Sequence, residues 1–161
     1  MIEGYVVLAG RIRKELGDIE HLVSRANRAL SAAQKNPHDA DLYIDSASLN
    51  LHDLYSGFER IFRQIAATVD GNLPSSAEWH RDLLEQMGLD LPKVRPSVLS
   101  ANSMQMLDEY LRFRHVVRNV YTFSLNPERI GRLVTGLESV FTQVQEELLT
   151  FASFLERVGM E

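Results

Sequence analysis

From Asn126 to Val158 the chain reads NPERIGRLVTGLESVFTQVQEELLTFASFLERV. Asn126 can cap a helix with its side-chain oxygen, and Pro127 suits a first turn, where no amide proton is needed. Behind them Ile130, Leu133, Val134, Leu137, Val140, Phe141, Val144, Leu148, Phe151, Leu155 and Val158 recur at three- and four-residue spacing. That is the period of one helix face; a strand would alternate every two residues. A helix this long with one apolar stripe has to lay it against other elements.

The same period runs through the rest of the chain. Helix one carries Ile12, Leu16, Ile19, Val23, Ala26, Leu30 and Ala33, and breaks at Asn36-Pro37, where proline removes a donor and restricts its predecessor. Helix two is expected from about Asp39 to Val69, stopping at Asp70-Gly71-Asn72. A short helix follows a cap at Ser75 or Ser76 and ends near Met87-Gly88; an irregular connector, Asp90 to Pro96, leads to helix four. That helix should start after a Ser100 cap and reach about Thr122. No window alternates like a strand, and there is no internal repeat. The expectation is one all-α domain over residues 1–161: a five-helix up-and-down bundle, with Phe58, Phe62, Phe113, Val117, Phe141 and Phe151 in its core.

Composition narrows the chemistry. The 161 residues are 45% hydrophobic, enough for one real core. With no cysteine, disulfides, thiolate metal sites and a cysteine nucleophile are excluded. No apolar run approaches the ~18 residues of a membrane span, and Glu3 stands where a signal peptide would be positive. These features predict a cytoplasmic protein that does not engage a membrane.

Charge is unevenly placed. Between Arg112 and Arg132 five arginines face one acidic residue, Glu128, a local balance of +4. The whole chain carries −5, so the remainder carries −9. Gathering cations on one element costs self-repulsion, which a site for phosphate would explain. On a helical wheel Met106, Phe113, Val116, Val117 and Val120 form the expected core stripe of helix four. Arg114, Arg118 and Tyr121 then share another strip at i, i+4 and i+7, beside the pair His115 and Asn119. Leu107 and Leu111 point the same way as the arginines, which predicts a second covered surface, a homodimer interface with helix four near a two-fold axis. Each residue also has an ordinary reading: Arg112 can pair with Asp108 one turn away, and Tyr121 can cap the core.

Arg114, four residues, Asn119, one residue, Tyr121 resembles the Arg-x4-His-x-Tyr signature of HEPN-domain ribonucleases, especially the HepT toxins. The layout is similar too: a long first helix, Ser48-Leu-Asn-Leu-His-Asp-Leu-Tyr-Ser-Gly-Phe-Glu-Arg60 on helix two, and Leu73-Pro-Ser-Ser-Ala-Glu-Trp-His-Arg81 before the short helix. The resemblance implies a dimeric helical bundle with a shared cleft, acting as a metal-independent endoribonuclease toxin that cleaves RNA by 2′-hydroxyl attack. It further implies a nucleotidyltransferase antitoxin of the MNT type that attaches AMP to the motif tyrosine. Carried over, Arg114 with Arg118 and Arg112 would bind phosphate and RNA, and Tyr121 would be the modification acceptor. One position departs: Asn119 replaces the motif histidine and cannot exchange a proton near neutrality. Losing such a group costs about 10² to 10⁴ in rate unless His115, one turn earlier, takes over. The alternative is a catalytically inactive docking or adaptor protein that only binds a nucleotidyltransferase.

Other constellations are weaker. Trp79-His80-Arg81 opens the short helix, and His80 is a candidate cleft residue. Asp39, Asp41, Asp45, Asp53 and Glu59 read as scattered carboxylates on helix two, without the Glu-x-x-His pairs of a bundle metal site. No phosphate-loop or dinucleotide fingerprint is present, so neither a metal nor a cofactor is expected.

Overall fold

The computed structural model describes residues 2–121 and 124–161. Five α-helices follow in chain order: α1 (Ile2–Lys35), α2 (Ala40–Ile65), α3 (Trp79–Met87), α4 (Ala101–Asn119) and α5 (Pro127–Gly159). Among the described residues there is no strand, only one isolated bridge between Leu91 and Arg95. No described helix is long and apolar enough to cross a membrane. The expected all-α bundle is therefore the observed architecture.

The long helices form where the apolar period is unbroken. Along α1, Ile12, Leu16, Ile19, Val23, Ala26 and Ala33 are all buried, packed against α2 and α5. Helix α2 approaches α1 closely at Gly57, where an added Cβ would stand 2.8 Å from Ile19 Cγ1. After Ile65 the chain widens into one π turn, Ala66–Asp70, closed by Gly71 in the left-handed region (φ 66°) with Asn72 N–H donating to Ala66 O. Only glycine adopts that conformation without a Cβ penalty.

The connector from Gly88 to Ser100 is fixed by one arginine. Arg95, 3% exposed, donates from Nε and Nη2 to the two carboxylate oxygens of Asp70 (2.6 and 2.8 Å). Its remaining donors reach the carbonyls of Leu89, Pro96 and Gln86. Helix α4 then starts as expected: Ser100 Oγ accepts from Ser103 N–H. Glu147 on α5 accepts from Ser100 N–H (2.6 Å), Ser100 Oγ and Ser103 Oγ. Helix α5 opens on Asn126, whose side chain accepts from Glu128 and Arg129 amides.

Helix α4 is covered on more of its circumference than the expected wheel: Phe113, Met106, Val116 and Val117 meet the core as expected, and a second side is covered too. Leu107 and Leu111 are buried inside this chain, together with Ser103, Tyr110 and Phe113. Val116 and Val117 are only half-buried, and Val120 is exposed. The leucines and Arg114 do share a side, but that side faces α2 and α3 of the same chain. Leu107 and Leu111 are thus no basis for a dimer interface. The helix also ends sooner. Asn119 is its last residue, and Val120 is extended (φ −133°, ψ 159°). The expected end at Thr122 lies outside the described residues.

Candidate functional site

A polar centre forms where α2, α3 and α4 meet. Helix α2 supplies Glu59, buried at 5% exposure although it sits among Tyr55, Phe58 and Phe62. Its Oε2 lies 2.7 Å from His80 Nδ1 at the start of α3, and its Oε1 lies 3.8 Å from Arg114 Nη2 on α4. Arg114 also donates from Nε to Ser56 Oγ (3.1 Å), and that serine donates to the carbonyl of His52. Arg114, whose side chain is 12% exposed, is therefore held from two sides by α2. A buried carboxylate requires such compensation, because desolvation without a partner is costly.

Asp108 forms a second ion-pair node one and a half turns before Arg114. It accepts from Arg81 of α3 and forms an ion pair at 2.7 Å with Arg112 on its own helix. The hydrogen bond from Arg81 to Asp108 holds the pKa of the Arg81 guanidinium above its usual value. The ordinary i, i+4 pairing of Arg112 is present and leaves it largely exposed. Behind both nodes lies Tyr55, fully buried, with a hydroxyl that has no hydrogen-bond partner among the described residues. Burial first, and the nearby Glu59 charge second, push its pKa well above the ordinary tyrosine range.

In front of these nodes lies an open groove of about 750 Å³. It is lined by Arg112, Arg114, His115, Arg118 and Asn119 of α4, by His80 and Arg81 of α3, and by Arg129 of α5. Every site residue expected from the sequence except Tyr121 lines it. His115 and Arg118 are exposed at its edge. Asn119 turns its amide back to His115 O (2.6 Å), satisfying one of the carbonyls that a helix end leaves open. Tyr121 lies past the helix end, 76% exposed, so it does not continue the i, i+4, i+7 strip. Its carbonyl accepts from Ser124 N–H.

Ser56 and Arg129 were not singled out in the sequence, Arg81 was noted only beside His80, and Glu59 was read as one of several scattered carboxylates. Glu59 left a signal: it stands four residues after Tyr55 and three before Phe62, inside an apolar stripe where a carboxylate must have a partner. Among the described residues no group of histidines and carboxylates is arranged to hold a metal ion.

A family model described as HepT-like protein matches residues 46–155, more than half of the chain, from α2 into α5. Comparison with curated proteins and with solved structures gives no match. The matched span contains all of the groove-lining residues, and the bundle is the one the sequence pattern implies. The chain belongs to the HepT-like protein family.

Proposed function

We propose that this chain is the toxin of a toxin–antitoxin pair, a metal-independent endoribonuclease neutralised by a nucleotidyltransferase. One observation carries the reading: Arg81, Arg112, Arg114, Arg118 and Arg129 line one groove with His80 and His115, in a chain of net charge −5. Guanidinium groups suit phosphodiesters because their planar donors match two oxygens at once. Arg114 and Arg118 hold the scissile phosphate, and His115 takes the 2′-hydroxyl proton. The 2′-oxygen bonds to phosphorus, the bond to the 5′-oxygen breaks, and a 2′,3′-cyclic phosphate and a 5′-hydroxyl result. The same reading pairs two chains with the exposed carboxyl end of α4 near the two-fold axis, leaving Tyr121 accessible.

The test is cleavage of single-stranded RNA in a chelator. Wild type should give cyclic-phosphate ends. Arg118→Ala, which removes an exposed side chain, should lose about 10- to 10³-fold, and His115→Gln about 10² to 10⁴. A second reading, a silent partner-docking protein, is favoured by Asn119, which lacks a titrating group and turns its amide to the helix end. RNA left intact by wild type would establish that reading instead.

A further inference from the structure

In-line transfer at a phosphodiester places the attacking 2′-oxygen and the departing 5′-oxygen on opposite sides of phosphorus. Two proton carriers on different supports serve it better than one. With asparagine at position 119, α4 offers only His115. We infer that His80, oriented by Glu59, is the second proton carrier of this groove, the general acid that protonates the departing 5′-oxygen. This assignment rests on the nuclease reading above.

Three features set His80 apart from a helix anchor. First, Nδ1 is occupied by Glu59 Oε2 at 2.7 Å, which fixes the ring so that any proton given or taken passes through Nε2. Nε2 has no partner among the described residues, and the ring lines the groove. Second, the Trp79 indole stacks on the imidazole with centroids 3.5 Å apart, and Arg63 lies 4.8 Å from the indole centroid. The ring plane is thus held independently of the hydrogen bond. Third, Glu59 is shared: its other oxygen faces Arg114 at 3.8 Å. One buried carboxylate therefore sets both the phosphate-binding guanidinium and the imidazole. The element beneath is fixed as well, since Ser76 Oγ accepts from Glu78 N–H and donates to Asp82.

The step balances. His115 takes the 2′-hydroxyl proton as the oxygen–phosphorus bond forms. The bond to the 5′-oxygen breaks and the proton on His80 Nε2 passes to that oxygen. His115 is left protonated and His80 neutral, and exchange with water restores both. Glu59 touches no reacting atom; it is a positioning residue that also carries the compensating charge while His80 is protonated.

Leaving-group substitution separates an acid from a structural anchor. Once the cleaved linkage is mapped, the same RNA is made with sulfur in place of its bridging 5′-oxygen; thiolate departs without a proton. His80→Gln should lose about 10² to 10⁴ on the oxygen linkage and less than about tenfold on the sulfur linkage. His115→Gln should lose on both. Glu59→Gln, which loosens Arg114 as well as His80, should lose on both linkages and more on oxygen than on sulfur. Equal losses on both linkages for His80→Gln, or no loss on oxygen, would overturn the assignment. Should the variants fail to fold, wild type decides. With an acid present it cleaves the two linkages at similar rates, and a preference for sulfur of about 10² or more means there is none. Wild type that cleaves neither linkage removes the nuclease reading itself; wild-type cleavage with an unaffected His80 variant removes only this inference.

Discussion

Tyr55, four residues before Glu59, keeps a buried hydroxyl with no hydrogen-bond partner among the described residues. Removing it should cost nothing that the fold uses, so Tyr55→Phe is expected to be neutral or stabilising near pH 7, within about 1 kcal/mol. Alkaline pH exposes the other side of that burial. Both Tyr55 and Tyr110 have pKa values pushed up by burial, the latter also donating to Leu133 O at 2.6 Å. Raised values mean that the folded chain keeps both protons where the unfolded chain releases them, from about pH 10 upward. Stability is therefore full below about pH 10 and falls above it, by about 2.7 kcal/mol per pH unit for two such groups. Urea unfolding between about pH 8 and pH 11 should show Tyr55→Phe losing roughly half as much as wild type.

Element by element, legibility followed the strength of the apolar period. The stripes of α1 and α5 were readable because nothing polar interrupts them, and Ser100 and Asn126 cap where their neighbours implied. Helix α4 was read with one inward face where it has two. Phe113, Met106, Val116 and Val117 meet the core as expected, while Leu107, Leu111 and Arg114 are covered as well, and only Ser56 and Glu59 on α2 make burying that arginine affordable. Its end was placed late because no glycine or proline marks Asn119, and Tyr121 was consequently assigned to a strip it does not join. The groove's α4 residues were legible, since spacing along one helix suffices to group them. Its α2 and α3 partners depend on tertiary contacts that spacing does not encode. The connector held a further hidden element in Arg95, which joins Asp70, Gln86, Leu89 and Pro96. Arg95→Ala leaves the Asp70 charge buried and should cost about 3–5 kcal/mol in chemical denaturation. Arg95→Lys should recover little of it, because an ammonium cannot reach those acceptors together.

For the molecule as a whole, an arginine-rich groove sits in a chain of net charge −5, and the proposed control acts on that contrast. Tyr121 is 76% exposed beside the end of α4, within reach of an enzyme acting on the surface. A nucleoside monophosphate attached there would bring an anion to the arginine-rich end of the helix and compete with RNA for it. Co-expression with a neighbouring nucleotidyltransferase, followed by native mass and peptide mapping, should find two chains associated and AMP on Tyr121. AMP on any other residue, or a strictly single chain, would contradict that picture. Helix α4 adds a last consequence. Its amino end already meets an anion, Glu147, while the groove gathers at its carboxyl end. Peptide dipoles sum to partial positive charge at the first and partial negative charge at the second. Familiar phosphate sites use the positive end, where backbone amides share the load. A phosphate here would lie at the repelling end and depend on side-chain cations alone. The dipole favours those cations while the groove is empty, so the resting protein is stabilised and binding gains no backbone help. Such a site holds its anion by charges that dissolved salt screens, and its grip should loosen steeply as ionic strength rises.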